Sequence, residues 1–158
     1  MDASKRYYFI EPGYNFRLSN IQAAILTSQL ETARQIECTW NLQHTQYRNA
    51  FNREGIPFTE QHPKNYEVNS PWLYTVRLNH FSFSKKIDLA SHLANFGVET
   101  RPVFYPLHEM PAFWTPSNSI VNAIRISNDG ISLPTGSHMT ESSIEFVTAL
   151  ISEFLGKK

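Results

Sequence analysis

Asn15 and Arg17 lie two residues apart in the run Gly13-Tyr14-Asn15-Phe16-Arg17-Leu18-Ser19-Asn20, immediately ahead of a helix start. An amide and a guanidinium at that place suit an anion such as a phosphate or a sugar diphosphate. The free backbone N–H groups and the helix dipole there both favour negative charge. Spacing alone does not force this use, because Asn and Arg before a helix also serve in capping and solvation. Arg101 and His108 stay equally open on spacing, as a strand-end charge and as a surface or capping histidine. Other chemistries are easier to set aside. The six histidines, His44, His62, His80, His92, His108 and His138, have no metal-ligand spacing, and Cys38 is the single cysteine. Ser137, in Gly136-Ser137-His138-Met139, lacks a nucleophile-elbow pattern, and no Gly-rich phosphate loop occurs. Metal-centre, hydrolase and nucleotide-triphosphatase readings fall with them.

The elements that must position these residues begin with residues 19–54, which contain neither glycine nor proline. Ser19 and Gln22 form a capping-box pattern, and Gly55 and Pro57 stop the helix. Ile21, Leu26, Leu30, Ala33, Ile36, Trp40, His44, Tyr47 and Phe51 recur at helical steps and form one apolar stripe. As one straight helix it spans about 50 Å, at ~1.5 Å per residue. A helix longer than the domain beneath it must bury its N-terminal end elsewhere, on a further domain or another subunit. The alternative is a helix bent around its own domain. Residues 71–79 alternate as a strand. Ser84 can cap a helix that Gly97 ends, and residues 98–104 form a second strand, bent by Pro102 into an edge. Pro106, Pro111 and Pro116 make residues 105–118 a structured loop. A short helix over residues 119–127 then turns at Asn128-Asp129-Gly130 into the strand 131–133, closed by Pro134. Thr140 caps a last amphipathic helix that Gly156 ends. The fold expected is α/β of the α+β kind: a small mixed or antiparallel sheet packed with helices behind a long N-terminal helix. The organisation expected is a connecting and site segment at 1–18, a linking helix at 19–55 and a small domain at 56–158. The segment 1–17 has no periodicity of its own and is expected to need a partner surface.

With 158 residues the chain suffices for one ordinary domain. Fourteen basic residues balance fourteen acidic ones, so no basic field exists to hold nucleic acid or a membrane surface. No apolar run is long enough to cross a bilayer, and the N-terminus has no signal-type apolar core, so the expected location is the cytoplasm. Cys38 falls in a helical pattern and reads as a packing residue.

The segment Gly13-Tyr14-Asn15-Phe16-Arg17-Leu18-Ser19-Asn20-Ile21-Gln22-Ala23-Ala24 closely resembles the one that opens the C-terminal part of the DegT/DnrJ/EryC1/StrS sugar aminotransferases. These are pyridoxal-phosphate enzymes of aminotransferase fold type I, and within them the resemblance is to perosamine synthetase-like members. Gly97-Val98-Glu99-Thr100-Arg101-Pro102-Val103-Phe104-Tyr105-Pro106-Leu107-His108 and Ile131-Ser132-Leu133-Pro134 match further family segments in the same order. The resemblance implies that Asn15 reaches the cofactor phosphate of a neighbouring subunit and that Arg17 belongs to the same shared site, both of which need a homodimer. It implies that Tyr14 lines the entrance, or merely packs there, and that Tyr105 and His108 face the nucleotide-sugar substrate as aromatic wall and hydrogen-bonding group. Arg101 could add charge for the diphosphate. The family's lysine, which holds the cofactor as a Schiff base, and the acid that partners its pyridine nitrogen lie upstream of the matched part. Lys5 does not align with that lysine. The chain alone is therefore expected to be inactive, with amino transfer from a donor such as glutamate to a keto-sugar nucleotide belonging to the intact enzyme. Half of a split aminotransferase and a non-catalytic binding or assembly module are the alternatives.

Overall fold

The computed structural model describes residues 5–61, 70–78, 82–116 and 120–156. Expectations that fall on Asn79, Ser119, His62 and His80 lie outside these residues. Five helices, α1 (Asn20–Leu30), α2 (Ala33–Arg53), α3 (Phe83–Asn95), α4 (Val121–Asp129) and α5 (Glu141–Phe154), accompany four strands. The strands are β1 (Phe58–Glu60), β2 (Tyr74–Leu78), β3 (Arg101–Pro102) and β4 (Gly130–Leu133). They form one sheet in the order β1-β2-β4-β3, antiparallel at every pairing.

Local signals explain most boundaries. Ser19 and Gln22 form a reciprocal capping box at the start of α1. At the end of α2, Gly55 takes φ 62°. The Ile56 amide then bonds the Phe51 carbonyl at 2.9 Å, satisfying a helix-end acceptor. Gly97 repeats the device after α3 with φ 77°, and the Val98 amide bonds the Leu93 carbonyl at 3.0 Å. Thr140 caps α5 through its side chain, which accepts from the Ser143 amide.

Five expectations need correction, the first being the packing role of Cys38, which is exposed on α2 and lies outside the core. The single long helix is interrupted between α1 and α2, where Thr32 adopts φ −107°, ψ 4°. Its amide and its hydroxyl both donate to the Gln29 carbonyl at 3.2 Å, so a tighter turn replaces the regular ladder. Ser82, not Ser84, caps α3, its hydroxyl accepting from the Lys85 amide at 3.3 Å. No turn separates α4 from β4: the helix runs through Asp129 and Gly130 opens the strand. A Cβ on Gly130 would lie 2.6 Å from the Ile126 carbonyl and 2.6 Å from Val103, so the junction admits only glycine without a shift. Finally, β3 is only two residues long, and the proline-rich loop contains the 3-10 turns Leu107–Glu109 and Pro111–Phe113.

The core lies between the sheet and α2, α3 and α5. Tyr74, Val76 and Leu78 of β2 are buried, with Ile131 and Leu133 of β4 beside them. Tyr47 and Tyr74 stack at 4.8 Å, and Phe51 meets Phe58 edge-on at 5.2 Å. By contrast α1 buries none of its residues.

Candidate functional site

Residues 9–20 are all exposed, and this stretch carries Tyr14, Asn15 and Arg17. Asn15 Oδ1 accepts the Arg17 amide at 2.8 Å, a two-residue turn that holds Arg17 at φ 70°. A non-glycine residue in the left-handed region is costly, by ~1–3 kcal/mol, and such strain gathers where function needs a backbone held in place. The turn uses the oxygen of the Asn15 amide, which leaves the amide NH2 and the Arg17 guanidinium for an anion. Tyr14 and Phe16 flank them at 88% and 90% exposure.

The second group is built on the edge of the sheet. Arg101 pairs with Ser132 in the β3–β4 register and is half-buried. Its Nη1 donates to the Tyr7 hydroxyl at 3.3 Å, and its Nη2 lies 3.4 Å from Glu99 Oε1. The same Glu99 oxygen takes a 2.9 Å bond from Arg6. Tyr7 meets Phe104 at 4.8 Å, and Tyr8 presents its edge to Tyr105 at 5.5 Å. Residues 5–8 thus lie on their own small domain rather than on the partner surface expected for the N-terminal segment, while residues 9–18 stay exposed.

His108 sits in the first 3-10 turn, half-buried, with its Nε2 enclosed and without a hydrogen-bond partner. That enclosed nitrogen cannot meet a ligand from solvent, which narrows the role expected for this ring. Its carbonyl accepts the Thr115 amide at 3.1 Å and so closes the loop on itself. Arg101 contacts Tyr7, and Tyr105 contacts the adjacent Tyr8. Among the described residues no hydrogen bond, ion pair or ring contact joins Tyr14, Asn15 or Arg17 to Arg101, Tyr105 or His108.

A cleft of about 610 Å³ opens beside Arg101, lined also by Glu99, Ser132, Thr135, His138 and Phe146. A smaller hollow of about 230 Å³ lies between α2 and the sheet, with His44, Arg48, Glu60, Trp72 and Phe104 in its wall. There Arg48 Nε donates to Glu60, and the Tyr74 hydroxyl donates to the other oxygen of that carboxylate at 3.1 Å. The Glu60 carboxylate raises the Arg48 pKa, and burial first, then Glu60, raises that of Tyr74. Burial lowers the pKa of His44, against the nearby Trp72 carbonyl and Glu60. Opposite, the buried Lys86 donates to the Ser127 carbonyl at 2.6 Å near the end of α4, and burial lowers its pKa despite Asp129. No group of three or more His, Cys, Asp or Glu that could hold a metal ion occurs among the described residues. No helix among them is long and apolar enough to cross a membrane.

Tyr7, Tyr8 and Glu99 were missed by sequence reasoning as parts of this group. Glu99 and Arg101, two apart at a strand, carried a signal, since alternate residues share a face. Tyr7 and Tyr8 carried none, because their contacts cross more than ninety positions, as in the 94-residue separation of Tyr7 and Arg101.

Residues 1–152 match the DegT/DnrJ/EryC1/StrS aminotransferase family. The GDP-perosamine synthase of Caulobacter vibrioides is 34% identical over 164 residues, covering 98% of this chain and 42% of that protein. Among solved structures, the proposed sugar aminotransferase Spr1654 of Streptococcus pneumoniae in its PLP form aligns with TM-score 0.79 at 18% identity, over 94% of this chain and 38% of the other. Helicobacter pylori PseC, an aminotransferase involved in the biosynthesis of pseudoaminic acid, aligns with TM-score 0.74 at 22% identity, over 92% and 40% respectively. The chain spans about two-fifths of the length of the curated relatives it matches.

Proposed function

This chain belongs to the DegT/DnrJ/EryC1/StrS aminotransferase family, and we propose that it serves as the C-terminal part of a nucleotide-sugar aminotransferase, completing a site shared between two copies. The family depends on pyridoxal phosphate, which supplies an electron sink and carries the amino group between donor and acceptor. The donor set on residues 9–20 fits the phosphate of that cofactor: an amide NH2 and a guanidinium, both exposed and both directly ahead of a capped helix. Asn15 and Arg17 bind the phosphate of a neighbouring copy, and Tyr14 lines the entrance. Arg101 takes the substrate diphosphate, while Tyr105 and His108 orient the hexose. The reaction moves an amino group from a donor such as glutamate to a keto-sugar nucleotide.

The observation that carries this reading is the left-handed Arg17, fixed by Asn15 on an exposed stretch, with no partner for its guanidinium among the described residues. A backbone strained to present an unpaired cation is explained by a ligand outside the chain. By itself the chain has no lysine placed as the family's cofactor-linking lysine, so it does not turn over alone. Incubation with a keto-sugar nucleotide, glutamate and pyridoxal phosphate should give no amino sugar, and measurable turnover would refute this part of the reading.

A second reading, a non-catalytic assembly module, draws on α1. This helix has no charged residue and no buried one, as expected of a surface that is covered in an assembly. The two readings part on Asn15→Ala and Arg17→Ala. A shared site loses pyridoxal-phosphate affinity in the assembled protein, whereas a docking module keeps its partner affinity unchanged.

A further inference from the structure

Residues 5–8 are joined to the edge of the sheet by four contacts. Arg6 pairs with Glu99 at 2.9 Å, the Arg101 guanidinium donates to the Tyr7 hydroxyl at 3.3 Å, Tyr7 packs on Phe104 and Tyr8 on Tyr105. Glu99 is the pivot. Its Oε1 stands between two guanidiniums, and the shorter contact goes to Arg6, not to Arg101. A carboxylate held by Arg6 neutralises Arg101 less, and a phenol bonded to Nη1 restricts the rotamers of a long side chain. Tyr8 does for the Tyr105 ring what Tyr7 does for Arg101.

We propose that residues 5–8 form a positioning strap for the substrate side of the site: Arg6 draws Glu99 away from Arg101, and Tyr7 and Tyr8 set Arg101 and Tyr105 for a nucleoside diphosphate. Arg6, Tyr7 and Tyr8 are positioning residues, acting through groups that touch the ligand. The strap also pins one end of residues 9–18, which run on into the capping box of α1.

This inference rests on the proposed role of Arg101 and is tested by calorimetric titration of the 158-residue chain with GDP as the probe. Circular dichroism of each variant checks that the fold is kept. Arg101→Ala should weaken GDP binding by about tenfold or more. Arg6→Ala should weaken it by about two- to fivefold, as expected for an exposed charge pair. Adding Glu99→Gln to Arg6→Ala should restore the affinity, because it removes the carboxylate that Arg6 no longer holds. Tyr7→Phe should weaken binding by a similar factor in the wild-type background and have no effect beside Arg101→Ala. If Arg101→Ala weakens binding while Arg6→Ala and Tyr7→Phe bind as wild type does, or Glu99→Gln fails to restore it, the strap is wrong and the role of Arg101 stands. If Arg101→Ala binds as well as wild type, or the wild-type chain does not bind GDP, the role of Arg101 falls and the strap with it.

Discussion

Gln43 is buried on α2 and commits both ends of its amide to the turn between β4 and α5. Its Nε2 donates to the carbonyls of Gly136 at 2.8 Å and Met139 at 3.2 Å, and its Oε1 accepts the Gly136 amide at 3.1 Å. One turn along α2, the Tyr47 hydroxyl donates to the Pro134 carbonyl at 2.9 Å. Gln43→Leu removes three hydrogen bonds at once, leaving the Gly136 carbonyl only the Met139 amide, and should destabilise the chain by about 2–4 kcal/mol in urea unfolding, against about 1 kcal/mol for Tyr47→Phe. Equal losses would mean that the turn holds itself. His44, beside them, carries a pH dependence with a definite sign. Its pKa in the folded chain lies below the ordinary 6.5 because burial disfavours the charged ring. Below pH 6.5 the unfolded chain therefore binds a proton that the folded one resists, and stability falls as the pH drops from there toward the folded pKa. Urea midpoints measured between pH 7 and pH 5 should fall, and His44→Gln should flatten the slope. An unchanged slope in that variant would assign the effect to other groups. The apolar spacing around Trp40, Tyr47 and Phe51 was legible in the sequence, but the clamp was not. A glutamine on a helix reads as solvent-facing until the turn it satisfies, 93 positions away, is folded against it.

The helix caps show what local chemistry can settle. Ser19 with Gln22, Gly55, Gly97, Thr140 and Gly156 stand where each was expected, because a cap needs only neighbours in sequence. The break at Thr32 depends on a smaller balance, a hydroxyl competing for the Gln29 carbonyl, and a continuous apolar stripe conceals it. The strand expected at 98–104 was overestimated: β3 pairs with β4 only at Arg101 and Pro102, and Pro102 has no N–H to carry the ladder on. The break divides the N-terminal helix into two parts of different standing. α2 is held in the core by Gln43, Tyr47, Ala50 and Phe51, whereas α1 is eleven residues long with nothing buried. An isolated helix of that length is marginal in water. Hydrogen exchange on the chain alone should show amides of α1 exchanging far faster than those of α2 from Tyr47 to Phe51. Equal protection in the two helices would show that α1 is already covered.

The described residues form a small antiparallel sheet with α2, α3 and α5 on its core side, a strapped edge carrying Arg101 and Tyr105, and an exposed stretch carrying Asn15 and Arg17. Its motif order made the family legible from sequence. The arrangement of the two candidate groups was not, because it depends on how residues 5–8 fold back and on surfaces beyond this chain. The account divides one active site between this chain and a lysine-bearing large domain, with Arg17 serving a neighbouring copy. Its most direct test is an amino-transfer assay with glutamate and a keto-sugar nucleotide, run on the chain alone and on the chain joined to such a large domain from the source genome. The account predicts no product from the chain alone, and from the joined protein a turnover that Arg17→Ala lowers by about tenfold or more. Product from the chain alone, or a joined protein indifferent to Arg17→Ala, would contradict it.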